Sequence, residues 1–422
     1  MSYSVYDKLY LKRREPMLAT LKPVFDKDMS VQCYCVIAQR ENVLKNIMLV
    51  GTESLDMAAN ILGLDIVNSL STNTFDKNQK VIVNVNNIAL FTDIESQVKI
   101  SPDKIVLMLD GKMNPDEAYI NRLKTLKNEG YTLGTSGVTK DNIKKLDPVL
   151  DLVNIVVIDD TEGDTAGKAK RIRDSYHNVT IMVSNVANLE ELEELKDCGE
   201  CEYYEGSFYT VPVSVKKHEV SPVKMTYLNL LNYVNSKDFD LKKASEIIGQ
   251  DPALVISLMK KANRRARNSE ITSIPNAAAM MGQVDLRSWA HTAITKELCA
   301  DKPDALTRIA LIRAKFFENI AGFFGLRGFS SELFLTGEFS VLDIMLDVPM
   351  QDALDKVHVS DDIRRVLTDH DGPLSPVFDF ALAYEQGDWQ YVDRELLVRN
   401  IKSDDIHNEY VNALQWFKEA FR

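Results

Sequence analysis

Five stretches of this chain hold residues whose types and spacing suit chemistry. Residues 130–139 read GYTLGTSGVT, a strand-like run that breaks into Gly-Thr-Ser-Gly before the helical pattern KDNIKKLDPVLDLV. A small-residue loop between strand and helix is where α/β proteins often hold a phosphate on backbone N–H groups. It is also what remains where larger ligating side chains have been replaced. Cys33-x-Cys35 in QCYCVIA and Cys198-x-x-Cys201 in DCGEC offer the four thiols of a structural zinc site. Residues i and i+2 of a strand share a face without forming a knuckle, so ordinary buried thiols are expected instead. MKKANRRARNSE places Lys260, Lys261, Arg264, Arg265 and Arg267 at or past a helix C-terminus. Such a cluster suits a phosphate or an acidic partner, and equally a solvated helix end that complements the helix dipole. No aromatic residue interleaves with these cations, which disfavours a stacking platform for single strands. His370-Asp371 in LTDHDGPLSP stands at a helix end before Gly372-Pro373, and the other histidines share no ligand spacing.

The elements that must position these residues fall into two halves. From about residue 24 to 212, short Val/Ile-rich strands alternate with amphipathic helices: VQCYCVIA, VIVNV (81–85), KIVLML (104–109), YTLGT (131–135), NIVVID (154–159), TIMVS (180–184) and CEYYEG (201–206). The alternation predicts a parallel sheet covered by helices, either a (β/α)8 TIM-type barrel or a doubly wound sheet. The repeat of about 25 residues suits the barrel. Pro212 and Pro222 bracket a linker, after which MTYLNLLNYVN, DPALVISLMKKAN, LTRIALIRAKFFENIAGFFG and EYVNALQWFKEAF carry helical period. Asp251-Pro252, Ser360 and Ser403 read as helix starts. The predicted organisation is α/β plus all-α: a barrel over 1–212, a linker over 213–223 and a helical domain over 224–422. Of the adjacent pairs Phe316-Phe317 and Phe323-Phe324, one member each is expected to meet another element.

Composition narrows the function. With 50 Lys+Arg against 62 Asp+Glu the net charge is −12, which disfavours nonspecific binding to nucleic acid or an anionic membrane. No apolar run is long enough for a membrane span, and the opening MSYSVYDKLYLKRREPML has no signal-peptide core. The five cysteines suit a reducing compartment, so a cytoplasmic location is expected.

The alternating half resembles an EAL domain, the (β/α) barrel of bacterial cyclic di-GMP phosphodiesterases. EGSFYTVP (205–212) carries the likeness, together with LEELEELKDCG as a last helix. The helical half resembles an HDOD domain, a degenerate relative of HD-type phosphohydrolases, through ASEIIGQDPALVISLMKKANR, ITSIPNAAAMMGQVDLRSW and FDFALAYEQGDW. The first resemblance implies two metal ions held at the C-terminal ends of the barrel strands. Carried over residue by residue, it puts Cys35 at the signature Glu and Gln39 at the phosphate-binding Arg, while the metal-binding Asn is kept as Asn84. The next metal Glu falls on Met108, with Asp110 two residues later, and the adjacent Asp pair falls on Ser136 and Gly137. The Lys-x-Asp that polarises the attacking water reads Val157-Ile158-Asp159; two further Glu positions read Ser184 and Ala187, and the tail Gln reads Glu205. In the helical half the His-Asp position reads Ser340-Val341.

Small or neutral residues stand at nearly every metal and phosphate position, and Asn84 with Asp159 cannot hold two hard cations. The expectation is a chain without catalysis, metal or cofactor: a signal-transduction scaffold with regulatory protein partners, in bacterial control of motility, biofilm or two-component output. A homodimer stays open, nucleic acid is disfavoured and no membrane is expected. The alternative is a nucleotide or nucleic-acid binding module that uses the 260–267 cluster, or a metal-independent cyclic di-GMP receptor.

Overall fold

A computed structural model of the chain describes residues 18–39, 61–69, 79–113, 115–139, 141–211, 219–266 and 271–421. Its contacts define two compact units, one running up to Phe208 and including Phe380–Gln415, the other Tyr209–Asp379 with the last residues from Trp416. The boundaries expected from sequence cut the chain once; the contacts divide it differently over residues 380–415.

The first unit holds a closed eight-stranded barrel. β1 (Ala19–Phe25) and β2 (Val31–Ala38) form an antiparallel hairpin. In its turn the Asp26 carboxylate accepts from the Asp28 and Ser30 N–H groups, both at 2.9 Å, and Met29 adopts a φ of 63°. Parallel strands follow: β3 (Lys80–Val85), β4 (Ile105–Asp110), β5 (Thr132–Ser136), β6 (Ile155–Asp159), β7 (Thr180–Val186) and β8 (Tyr203–Gly206). β1 closes the ring, antiparallel to β8. The strands expected from sequence all form, with ends displaced by one or two residues. β1 was not among them, because Lys22 and Pro23 interrupt its apolar pattern and Pro demotes a strand reading. Helices α1 (Leu64–Ser69), α2 (Ile94–Gln97), α3 (Glu117–Asn128), α4 (Ile143–Leu150), α5 (Thr165–Ser175) and α6 (Leu189–Asp197) lie between the strands in sequence.

Side chains fill the barrel interior. Val24, Cys33, Ile82, Val106, Met108, Ile155 and Met182 form one buried cluster. Gly134 makes room for Met108, whose Cε would lie 2.7 Å from a Cβ there. Burial pushes the Cys33 thiol up to about 11, the state of an inert buried thiol. Burial likewise raises Cys201, with the neighbouring Cys198 adding to the shift.

The second unit is helical: α7 (Pro222–Asn235), α8 (Leu241–Ile248), α9 (Pro252–Arg265), α10 (Ile274–Leu298), α11 (Asp304–Ile320), α12 (Ser330–Phe339), α13 (Leu342–Leu346), α14 (Met350–Leu354) and α15 (Asp361–Asp369). The chain continues with α16 (Ser375–Gln386), α17 (Trp389–Arg399) and α18 (Ser403–Phe421), whose residues 380–415 belong to the first unit. Asp251 and Ser360 cap α9 and α15 through the N–H groups of Leu254 and Ile363, as expected; Ser403 is itself the first residue of α18. Gly337 lets α12 lie directly on α11, since a Cβ there would meet the Arg313 carbonyl carbon at 2.6 Å. Phe316 and Phe317 are both fully buried, Phe317 edge-on to Phe378. Among the described residues no helix is long and apolar enough to cross a membrane.

Candidate functional site at the barrel mouth

Strand parity decides what faces the interior. Cβ atoms alternate, so residues two places beyond the buried cluster on each parallel strand share its face at the C-terminal mouth. Those residues are Asn84, Asp110, Ser136, Asp159, Ser184 and Glu205, which the barrel brings to one end. Asn84 pairs in register with Met108, Asp110 with Ser136, and Asp159 with Ser184. Met108 and Val157 sit lower: Met108 is in the core cluster and Val157 packs against it, while Asp110 is exposed at the rim. Cys35 also packs on that cluster, and burial holds its thiol well above the ordinary range. Ala187 lies outside the mouth, in the turn where Asn188 caps α6 and Glu191 accepts from the Ala187 N–H.

The polar groups of the mouth are bonded to one another. Ser136 and Ser184 turn their hydroxyls to the carbonyls of Leu109 and Ile158 on adjacent strands, at 3.5 and 3.4 Å. Asp159 Oδ1 accepts from the Thr161 N–H (3.0 Å), the Thr161 hydroxyl (2.7 Å) and Asn185 Nδ2 (3.1 Å). Burial alone would raise this carboxyl; the hydrogen bonds reverse that and hold it below its usual range. Asn185 reaches it from an irregularity in β7, at a φ of 64°, and its N–H also donates to Glu205 Oε2 at 3.3 Å. Lys22 enters the same space. The hairpin register sets it opposite Cys35, on the interior face, with Nζ 4.0 Å from Glu205 Oε1. Burial raises the Glu205 carboxyl, with Lys22 and the Asn185 N–H opposing.

The GTSG loop is equally committed. Asn142 Nδ2 donates to the Gly137 and Gly111 carbonyls at 2.9 and 3.3 Å, and its Oδ1 takes the Thr139 N–H at 2.7 Å. The Gly111 N–H donates to the Ser136 carbonyl at 2.7 Å. A phosphate cradle needs N–H groups aimed at a ligand, and two of the N–H groups around this loop are already taken.

Gln39 is buried, 4% exposed, and donates from Nε2 to Asp393 Oδ2 of α17 at 2.6 Å. Tyr384 of α16 donates to the Ala19 carbonyl at 3.0 Å, and the Thr20 and Tyr410 hydroxyls lie 3.0 Å apart. A Cβ on Gly387 would meet Ile37 at 2.7 Å, so the chain passes close there. Residues of α16, α17 and α18 thus cover the mouth along β1 and β2. Asn84 and Asp110 across the barrel stay exposed.

The two metal ions that the EAL resemblance implies do not fit these residues. Among the described residues no group of three or more His, Cys, Asp or Glu side chains is placed to hold a metal ion. Glu205 faces an ammonium, and Asp159 is taken up by Thr161 and Asn185.

In the helical unit, Ser340 accepts from Arg313 Nη1 at 3.0 Å and Val341 is buried. His291, which had no ligand spacing in the sequence, is buried with Nδ1 2.7 Å from Glu338 and Nε2 3.0 Å from Asn235; Thr295 donates to Glu338 at 2.6 Å. His370 is the left-handed C-cap of α15 with its ring edge-on to Phe378, and Asp371 pairs with Arg365. Of the basic cluster, Lys261 donates to the Glu419 carbonyl at 3.0 Å and Arg265 pairs with Asp285, while Lys260 and Arg264 are exposed. Arg267 lies outside the described residues.

Residues 221–337 match the HDOD domain family model. The chain is 27% identical over 222 residues to the cyclic di-GMP phosphodiesterase CdgJ of Vibrio cholerae; the match covers 52% of this chain and 51% of CdgJ, so it spans about half that relative's length. It is 20% identical over 406 residues to the uncharacterized protein YuxH of Bacillus subtilis, covering 94% of this chain and 96% of YuxH. An EAL domain protein from Listeria monocytogenes aligns in structure with a TM-score of 0.36 and 14% identity, covering 50% of this chain and 93% of that one. The expected order holds at the level of fold: a closed eight-stranded barrel, then a helical region in which residues 221–337 match the HDOD family.

Proposed function

We propose that this chain, an EAL-like barrel ahead of an HDOD domain at residues 221–337, is a non-catalytic scaffold in cyclic di-GMP signalling that acts through regulatory protein partners. The similarity to a cyclic di-GMP phosphodiesterase over half the chain supports the signalling context. The observation that carries the loss of catalysis is Gln39. At the position matched to a phosphate-binding Arg, an uncharged amide is buried against the Asp393 carboxylate. An anionic phosphodiester placed there would meet the acceptor oxygens of the Asp393 side chain instead of a guanidinium. The Lys22 ammonium beside Glu205 supports the same reading, because it supplies within the mouth the positive charge that a metal supplies in a phosphodiesterase.

Titration calorimetry of cyclic di-GMP against the full chain, with and without Mg²⁺ or Mn²⁺ and with hydrolysis followed in the same mixtures, tests this. Neither heat nor turnover is expected. Binding without turnover would make the barrel a receptor, and metal-dependent turnover would overturn the reading.

A further inference from the structure

The basic cluster at the end of α9 splits into two rows with different fates. Ser257, Lys261 and Arg265 form the row that faces neighbours: Trp289 Nε1 donates to Ser257 Oγ at 3.2 Å, Arg265 pairs with Asp285, and Lys261 reaches the Glu419 carbonyl. These pairs run α9 and the part of α10 after Gly282 antiparallel. One residue later on each helix comes a buried row, Leu258 and Ala262 on α9, Leu286 and Ala290 on α10. One residue earlier comes an exposed row, Ile256, Lys260 and Arg264 on α9, Val284 and Ser288 on α10. For antiparallel helices that share a seam, this matched order puts both exposed rows on the same side, away from the core.

The surface so formed mixes two chemistries. Ile256 is 55% exposed and Val284 83%, large fractions for aliphatic side chains on ordered helices. Gly282, with a φ of 73° and ψ of 173°, breaks α10 just before Val284, so that Val284 stands in the first turn of the new helical segment. Beside them Lys260 and Arg264 make no ion pair among the described residues, on a chain whose net charge is −12. Phosphate contacts alone give no reward for two aliphatic side chains between the cations, and no aromatic ring stands in either row for a base to stack on. An amphipathic helix with carboxylates beside an aliphatic stripe satisfies both chemistries at once.

We propose that the α9–α10 seam docks an acidic amphipathic helix of a partner protein, its aliphatic side chains on Ile256 and Val284 and its carboxylates on Lys260 and Arg264. This rests on the scaffold reading above and names the chemistry of its partner. The test uses the full chain and a fluorescein-labelled synthetic helix of about five turns, with one leucine stripe flanked by glutamates, read by fluorescence anisotropy. Lys260→Glu/Arg264→Glu is expected to weaken binding at least about tenfold, and Val284→Ser to weaken it severalfold. A lysine-flanked version of the helix should bind the charge-reversed protein better than the native one, which also shows that the variant is folded. Equal binding of a scrambled peptide, or no loss in the double variant, overturns the proposal. So does tighter, steeply salt-dependent binding of a single-stranded oligonucleotide through the same residues, which would assign the seam to nucleic acid. Cyclic di-GMP turnover measured on the same preparation keeps the two readings apart: a silent barrel with no peptide binding sinks only the docking, whereas turnover sinks the scaffold reading.

Discussion

Asp343 shows how a single buried acid shapes stability in the helical unit. It lies in the first turn of α13, accepts from the Ile344 N–H at 2.9 Å, and sits within reach of the Arg313 charge. Burial pushes its carboxyl from 3.8 to about 6, and the hydrogen bond and Arg313 only partly oppose this. The folded protein therefore keeps a proton that the unfolded chain gives up between about pH 4 and 6. Its stability contribution is present below that window, falls as pH rises through it and stays lost above it. The interval from 3.8 to about 6 corresponds to about 3 kcal/mol. Asp343→Asn, which removes the charge and keeps an acceptor for Ile344, should stabilise the protein by about 2–3 kcal/mol at pH 7.5 and change little at pH 4. Urea unfolding at the two pH values checks this; parallel pH profiles for variant and parent would assign the cost elsewhere. That Arg313 stands by Ser340, the place matched to the His-Asp pair, was not visible in the sequence, because no local pattern says which buried cation turns toward a lost site.

The α16–α18 segment, an element-scale feature, governs the barrel mouth through buried polar contacts. Asp393 is 3% exposed and Gln39 4%, so neither finds water readily when its partner is removed. Asp393→Ala should cost about 1–3 kcal/mol by leaving the Gln39 amide without this acceptor. The double change Gln39→Ala/Asp393→Ala should cost less than the sum of the two single changes, since either one alone already breaks their shared hydrogen bond. Thermal unfolding of the two singles and the double closes the cycle; additive losses would show that the pair is not coupled. The strand-end residues themselves were legible in the sequence, because a period of two fixes which side chains of an apolar run share a face and where the run stops. Asn84, Asp159 and Glu205 come to one mouth for that reason. The groups that hold them were not legible. Lys22 belongs to a strand masked by Pro23, Asn185 turns inward only through the irregularity in β7, and Asp393 lies 354 residues from Gln39. Long-range partners and backbone irregularities leave no periodic trace.

At the scale of the whole molecule, the two units are discontinuous in sequence, and this has a consequence for how the chain opens. The barrel unit takes in Phe380–Gln415, so its β1–β2 hairpin is tied to residues made after the entire HDOD match at 221–337. The Tyr384 hydroxyl meets the Ala19 carbonyl across 365 residues, and the hairpin's mouth edge is completed only when the late helices arrive. Closing a loop of that length adds little beyond the entropy of a shorter one, because the cost grows only with the logarithm of length. The barrel contacts are therefore free to bind 380–415 into their own cooperative unit. Hydrogen exchange by mass spectrometry on the full chain should show peptides covering 384–410 with the protection of β1 and β2. Asp393→Ala should lower protection in both segments together while leaving α9 and α10 unchanged. Peptides from 384–410 that kept the protection pattern of α7–α12, and ignored the Asp393 change, would place them in the helical unit instead. The terminal turns from Trp416 serve as an internal control: Trp416 lies edge-on to Phe334 of α12, so protection there should follow the helical unit within the same α18 helix. A change in protection along one continuous helix, near Gln415, is a sharper mark of two units than any difference between separate elements.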